Sequence, residues 1–398
     1  MSVDAAADGQ HPDDLRWMQR AIDAGALGTK AVRPNPRVGC ALVRGDVLLG
    51  LGFHQRCGGP HAEVEALRAA ATALGPDAAR GATAYVTLEP CNHHGRTPPC
   101  VDALLAAGVV RVVVAVRDPH PVAGGGLERL RAAGVAVVAG PGAEAAAILI
   151  EGFVVGVREQ RAFLRLKMAA SLDGQTAASD GTSRWLTGPA ARARVHAMRA
   201  EADAVLVGSG TVLADDPRLD ARGAEVAPGD PPLRVVVDRR LRTPPQAAVC
   251  DPALGPTRLY TSGEGARSAQ AEALRQRGVE VVGIDEAVGP SRGAADREGA
   301  APAVAADGTG GWLRAVLCDL RQRGQHEVLC EGGATLAAGL WRQGLVDRLE
   351  LMLAPMLLGS GAGLWPHIGV GTLGEALRLQ VDAVHRLGPD LHVSARPR

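Results

Sequence analysis

Aromatic residues are scarce in this chain: Phe, Trp and Tyr total ten of 398 residues. An excess of either charge is missing too, with Lys plus Arg and Asp plus Glu at 43 each. Binding a phosphate polymer needs clustered positive charge, and a single-strand channel adds aromatic stacking platforms. Both shortages count against a nucleic-acid partner. Long apolar runs are also absent. Stretches such as Val109–Val116 and Ala145–Val157 fall well short of the ~20 residues that span a bilayer, so no membrane partner is expected. The N-terminal MSVDAAADGQHPDD is acidic and lacks the apolar stretch of a secretory signal. Seven cysteines, an odd number, suit reduced thiols or metal ligands better than a disulfide framework. A cytoplasmic protein is expected.

What is present is core-forming material. The chain is 46% hydrophobic and 22% charged, an ordinary globular balance. Its length predicts two or three domains at ~100–200 residues each. Residues 1–12 read as a disordered leader. From there, Leu15, Met18 and Ile22 fall at helical spacing, with Asp13 or Asp14 as a cap. VGCALV and VLLGLG, parted by Arg44-Gly45-Asp46, predict a hairpin. HAEVEALRAAATALG reads as a helix beginning near Pro60. Strands and helices then alternate, which predicts an α/β sheet covered by helices. A first unit over 13–157 and a second over 161–398 are expected. The second continues with strands FLRLKMAAS, AVLVG, LRVVVD, RLYTS, VEVVGI, HEVLC and RLELMLAP. Residues 287–311, rich in Ala and Gly, read as a flexible insertion.

One constellation carries chemistry. His61-Ala62-Glu63 opens a helix, a strand ends at Leu88-Glu89-Pro90-Cys91, and Cys100 begins the next helix. A catalytic zinc takes three protein ligands and keeps its fourth position open. One imidazole and two thiolates suit Zn2+, and a carboxylate that is not a ligand can carry protons. His61, Cys91 and Cys100 are therefore the candidate ligands of one Zn2+, and Glu63 is the candidate proton carrier. This order is that of zinc nucleobase deaminases, H-x-E followed by P-C-x-x-C. Here, however, eight residues, NHHGRTPP, separate the two cysteines. They must form a loop, with Pro98-Pro99 restarting a helix, and they bring His93 and His94 in as rival ligands. A closed structural zinc site is the competing reading, but it needs no carboxylate alongside. Cys40, Cys250, Cys318 and Cys330 lie in apolar contexts and read as core thiols, and Cys57 as an incidental loop thiol. A nucleoside or nucleic-acid deaminase with an unrelated appended domain is the runner-up function.

The stretches RPNPRVGCALV, GFHQRCGGPHAEVEAL and TLEPCNHHGRTPPC strongly resemble the bifunctional deaminase/reductase family of riboflavin biosynthesis, in which the longer cysteine spacing is the norm. The resemblance continues through KMAASLDGQTA, SRWLTG, GSGTVLADDPRLDAR, EGGATLAAGL and LAPMLLG. It implies a cytidine-deaminase-like α/β/α sandwich followed by a dihydrofolate-reductase-like α/β domain. The implied substrates are small ribosylaminopyrimidine phosphates. The first activity would deaminate one hydrolytically, and the second would use NADPH to reduce the ribosyl group to ribityl. Asn35 and His54 would face the pyrimidine. Ala169, Trp185, Thr211 and Asp215 would line NADPH, with Gly333, Ala334, Thr335, Leu336, Ala337, Ala338 and Gly339 at its phosphates. Ser183, Arg199, Leu219, Arg222 and Glu331 would bind the reductase substrate. Lys167 and Glu331 are candidates for proton donation or electrostatic assistance. A homo-oligomer is also expected.

Overall fold

The computed structural model describes residues 11–95, 97–120, 122–223, 230–285, 311–366 and 368–398. The expected leader (but for His11 and Pro12) and the expected insertion (but for Gly311) lie outside them. The chain divides after Arg158 into two compact units.

The first unit runs α1 (Asp14–Gly25), β1 (Gly39–Arg44), β2 (Val47–Phe53), α2 (Ala62–Leu74), β3 (Thr83–Leu88), α3 (Cys100–Ala106), β4 (Arg111–Val116), α4 (Gly126–Ala132), β5 (Ala136–Ala139) and α5 (Ala143–Leu149). Helix α6 (Glu151–Glu159) ends at the boundary. The sheet order is β2-β1-β3-β4-β5. The β1–β2 hairpin is antiparallel and β3, β4 and β5 are mutually parallel. Strand periodicity sorts the core into two layers. Cys40 and Leu42 face Ala62, Ala66 and Ala70 of α2, Leu104 of α3 and Leu127 of α4. Ala41 and Val43 face Trp17, Met18 and Ile22 of α1 and Ala146 of α5.

Helix α2 lies unusually close to β2. A Cβ on Gly52 would sit 2.3 Å from the Ala66 nitrogen, and one on Gly50 2.3 Å from the Ala66 oxygen. Two strand glycines and an alanine-lined helix face thus press the start of α2 onto the sheet.

The capping expectation needs correction. Asp13 holds the N-cap position but makes no side-chain cap hydrogen bond. Asp14 lies inside the helix and turns inward. It accepts from Arg111 Nη1 and Nη2 at 2.8 and 2.7 Å and from the Tyr85 hydroxyl at 3.1 Å. These bonds, the largest from Arg111, outweigh burial and hold its carboxyl below the usual range. A depressed folded-state pKa gives stability that is present above the unfolded value and lost as pH falls through the folded one. Urea midpoints of the first unit should therefore fall steeply with pH once it drops below about 4, and Asp14→Asn should flatten that fall. Equal slopes in both proteins would remove Asp14 from the account.

The second unit comprises β6 (Phe163–Ser171), β7 (Gln175–Ala177), α7 (Pro189–Glu201), β8 (Ala204–Gly208), α8 (Ser209–Asp215), β9 (Leu233–Val237), β10 (Thr257–Thr261), α9 (Ala269–Gln276), β11 (Glu280–Gly283), α10 (Trp312–Gln322), β12 (Glu327–Cys330), α11 (Ala334–Arg342), β13 (Arg348–Ala354), β14 (Ala362–Gly363), β15 (Leu379–Leu387) and β16 (Asp390–Pro397). Its main sheet has the order β11-β10-β9-β8-β12-β6-β13-β16-β15. The run from β11 to β13 is parallel, and β16 and β15 add an antiparallel edge. Helices α10 and α11 cover one face through Leu313, Leu317, Leu340 and Trp341. Val212 of α8 and Leu274 of α9 cover the other.

Arg161 is fully buried at the entrance to β6. Its guanidinium makes a two-pronged pair with Asp347 at 2.6 and 2.7 Å, and Asp347 also accepts from the Leu164 N–H at 2.8 Å. Breaking a buried pair by removing one charge costs roughly 3–5 kcal/mol. Asp347→Asn should therefore destabilise the second unit by about that amount, read as a lowered urea midpoint. A loss below the noise of the titration would show that Glu159 alone neutralises Arg161.

Candidate active sites

The first site grows from three element ends. Strand β3 ends beside Glu89, whose carboxylate accepts from the N–H groups of Asp118, Gly125 and Leu127 at 3.2, 3.0 and 3.2 Å. This pins the loop that presents Cys91. Pro99 is the N-cap of α3, so Cys100 enters on its first turn. His61 is the N-cap of α2 and Glu63 lies in its first turn. His61 Nδ1 lies 3.2 Å from Cys100 Sγ and 3.6 Å from Cys91 Sγ, and the Cys100 N–H donates to Cys91 Sγ at 3.3 Å. The three ligand atoms all fall within 4.8 Å of one another. Tetrahedral zinc, with bonds of ~2.3 Å to sulfur and ~2.0 Å to nitrogen, sets nitrogen and sulfur about 3.6 Å apart. The trio fits that ion with little adjustment. His93 and His94 stand outside this group.

Electrostatics agree with a cationic occupant. The hydrogen bond from the Cys100 thiol, then that from His61, holds Cys91 as a thiolate against the cost of burial. The same bond to Cys91, with burial and the Glu63 charge, keeps the proton on Cys100. Cys91 and Cys100 thus share a proton that a bound ion would displace. Glu63 is 3% exposed, and burial raises its carboxyl above the ordinary range against the pull of His61.

Asn35 and His54 adjoin this group. His54 Nδ1–H donates to the Pro60 carbonyl at 2.9 Å, leaving Nε2 to accept from the Asn35 amide at 3.1 Å. Its ring meets that of His61 edge to face, with centroids 5.2 Å apart. Burial lowers the His54 pKa, so the imidazole is neutral and its tautomer is set by Pro60.

The second candidate group gathers around the carboxyl ends of β8 and β12, with Lys167 and Ala169 on the neighbouring β6. Gly332 and Gly333, with φ of +80° and +50°, turn the chain from β12 into α11. Only the α11 start offers unspent N–H groups: the Ala337 N–H already donates to the Gly333 carbonyl at 3.0 Å. Ala337 and Ala338 are buried, and a Cβ on Gly339 would meet Leu313 at 3.4 Å. Gly333–Leu336 thus keep N–H groups open at the helix start, whereas the Ala337 N–H is engaged and Ala337, Ala338 and Gly339 lie against the core. Thr211 Oγ1 donates to the Gly332 carbonyl at 3.4 Å. The Asp215 carbonyl accepts from Arg184 at 2.6 Å. Ser183 is exposed, and Trp185 is 69% exposed with the Arg192 guanidinium 4.7 Å from its ring centre. Ala169, midway along β6, pairs in register with Met352.

Arg199 forms a two-pronged pair with Glu331, Nη2 to Oε2 at 2.8 Å, and its Nη1 donates to the Asp220 carbonyl at 2.8 Å. Burial lowers the Lys167 ammonium pKa, while Glu331 opposes that shift. Leu219 behaves differently from its neighbours: its side chain is 1% exposed and packs in the core with Val212 and Val236. Its backbone φ is +55°. Sequence reasoning missed Glu89 and His196, whose side chains bond backbone groups distant in sequence, and Asp220, whose own carbonyl accepts from Arg199 and His196.

The description "Cytidine and deoxycytidylate deaminase zinc-binding region" fits residues 12–116, and "RibD C-terminal domain" fits 162–393. The riboflavin biosynthesis protein RibD of Escherichia coli is 40% identical, covering 95% of this chain and 98% of its own. That of Aquifex aeolicus is 35% identical, covering 95% and 97%. The solved Acinetobacter baumannii RibD, form 2, is 36% identical with a TM-score of 0.74, covering 97% and 99%. A solved Thermotoga maritima diaminohydroxyphosphoribosylaminopyrimidine deaminase/5-amino-6-(5-phosphoribosylamino)uracil reductase is 32% identical with a TM-score of 0.76, covering 97% and 99%. With a zinc-deaminase unit first and a reductase unit second, matched to relatives along almost its whole length, the chain belongs to the RibD family of riboflavin-biosynthesis proteins.

Proposed function

We propose that the chain hydrolytically deaminates 2,5-diamino-6-(5-phosphoribosylamino)pyrimidin-4(3H)-one and then reduces the ribosyl group of 5-amino-6-(5-phosphoribosylamino)uracil with NADPH. The observation that carries this reading is the closure of His61, Cys91 and Cys100 into one ligand group with Glu63 buried beside it. His61, Cys91 and Cys100 would hold Zn2+, which when bound supplies a Lewis acid for water activation. Glu63 takes one proton from the attacking water and gives it to the ring nitrogen, then carries the proton of the newly added hydroxyl to the amino group, so that ammonia leaves as the carbonyl forms. Asn35 aligns the pyrimidine edge, and His54 fixes the Asn35 amide.

In the second unit, NADPH supplies a hydride when bound. The open amides of Gly333–Leu336 and the positive end of α11 would take its phosphates, with Ala169, Trp185, Thr211 and Asp215 along its length. Ser183, Arg199, Arg222 and Glu331 would hold the substrate, and Leu219 would contribute backbone alone. Lys167, made a readier proton donor by its lowered pKa, and Glu331 would serve the reduction by proton donation or electrostatics. All seven cysteines are free, which suits a reducing cytoplasm. No helix among the described residues is long and apolar enough to cross a membrane. A homo-oligomer belongs to the same proposal.

The test is ammonia release and NADPH consumption measured together on the ribosylaminopyrimidinone phosphate. Both are expected, with NADPH oxidation dependent on prior deamination. Absence of ammonia release from zinc-loaded protein would overturn the reading.

A further inference from the structure

We infer that Asp220 is a positioning residue that pre-shapes the receptor for the substrate's phosphate, an inference that rests on the reductase reading above. The segment Arg218-Leu219-Asp220-Ala221-Arg222 alternates in its surroundings. Leu219 and Ala221 are buried at 1% and 8% exposure, so Arg218, Asp220 and Arg222 face the other way. Asp220 stands between the two arginines. Its carboxylate accepts from Arg222 Nη1 and pairs with Arg218 Nε at 3.3 Å. The side chain of Asp220 is only 15% exposed, whereas those of Arg218 and Arg222 are 53% and 56% exposed. Its backbone carbonyl accepts from Arg199 Nη1 at 2.8 Å and from His196 Nδ1–H at 3.2 Å. One residue therefore orders three guanidinium groups and an imidazole carried by two separate segments.

The charge count shows what this arrangement would bind. Arg199, Arg218 and Arg222 carry three positive charges. Glu331 answers Arg199, and Asp220 is shared by the others. Among these five side chains one positive charge stays uncompensated, and each guanidinium keeps N–H groups outside the bonds named here. A phosphate monoester dianion uses both features, since a guanidinium binds it two-pronged. Long exposed side chains lose rotamer freedom when they bind, and a carboxylate that orders them beforehand removes part of that cost.

This role makes a prediction opposite in sign to simple charge. Removing a carboxylate beside a dianion should tighten binding if only Coulomb repulsion acts. If Asp220 positions the arginines, binding should weaken. Asp220→Asn keeps the backbone carbonyl bonds to Arg199 and His196 and deletes only the carboxylate charge. Its KM for 5-amino-6-(5-phosphoribosylamino)uracil should rise about tenfold with kcat nearly unchanged. Asp220→Glu should recover part of that loss. On the dephosphorylated substrate, wild type and Asp220→Asn should have the same KM.

The outcomes separate two failures. A wild-type enzyme indifferent to the substrate phosphate would sink the underlying placement of the phosphate at these arginines. A wild-type enzyme that does require the phosphate, with an unchanged or lowered KM in Asp220→Asn, would overturn the positioning role alone. Circular dichroism and the NADPH dissociation constant should be unaltered. If both change together with KM, Asp220 is a folding residue and the inference fails.

Discussion

Ammonia release should fall about 10³-fold or more in Glu63→Gln, because an amide can neither take up the water's proton nor return it. The protein should nevertheless keep one zinc per chain. The ligand group is His61, Cys91 and Cys100, and none of these is altered. The substitution is close to isosteric and exchanges a buried carboxyl for a buried amide, so the fold should survive. Glu63 lies in the first unit and the reductase residues in the second. NADPH oxidation on the supplied deaminated intermediate should therefore proceed as in wild type. Metal content by atomic absorption, ammonia release and NADPH absorbance give three independent readings. Near-normal deamination with full zinc would transfer proton carriage to another group.

The second large effect should come from Arg199→Ala. Arg199 spans two partners, the Glu331 carboxylate and the Asp220 carbonyl. Truncating one member of a buried, hydrogen-bonded charge pair costs roughly 2–5 kcal/mol. The expected loss in reductase kcat/KM is about 10²-fold or greater, carried mainly by KM. Arg199→Lys keeps the charge but offers a point donor in place of a planar fork. It should restore less than half of the lost binding free energy. A KM unchanged in Arg199→Ala would place the substrate elsewhere. A changed KM with full restoration by lysine would reduce the role of Arg199 to charge alone.

Much of the fold was legible because periodic burial leaves periodic sequence. The β1–β2 hairpin, α2 and most of the alternation of strands and helices up to β13 follow from apolar spacing, whereas the short β7 and α8 do not. The C-terminal hairpin of β15 and β16 was not foreseen, and its residues show why. Buried ion pairs sit among its aliphatic side chains. His392 Nε2 lies 2.7 Å from Glu350, and Arg348 pairs with Asp382 at 3.2 Å. Leu391, Val393 and Ala395 do alternate along β16, but His392 and Ser394 between them are buried as well, so the alternation does not mark a core face.

The zinc trio was legible for a different reason. Its residue types are restricted by chemistry, and each sits at an element end that turn residues announce. Helix α3 begins at Cys100, directly after Pro98-Pro99, as that dipeptide suggested. The supports around the trio were not legible. Glu89 serves three backbone N–H groups lying between residues 118 and 127, and His54 serves the carbonyl of Pro60. Bonds from side chains to distant backbone groups have no fixed spacing, so one sequence does not display them. In the second unit the same limit hid Asp220, which works partly through its own carbonyl. The run Gly333–Gly339 read as one block in sequence. The helix divides it, since only its first turn has N–H groups to spare.

The bond between His54 and Asn35 has one more consequence. Pro60 fixes which imidazole nitrogen bears hydrogen, so Nε2 is an acceptor that only the amide NH2 of Asn35 can satisfy. A flipped Asn35 would set oxygen against a lone pair. The side chain thus carries a direction, with one spare hydrogen and one carbonyl oxygen in a set order. With Asn35 at the pyrimidine edge as proposed, a heterocycle that enters turned over would meet donor with donor and acceptor with acceptor. On the proposed reading, Asn35, His54 and Pro60, close beside the ligand trio, would give the site a handedness enforced by mismatch and not by shape.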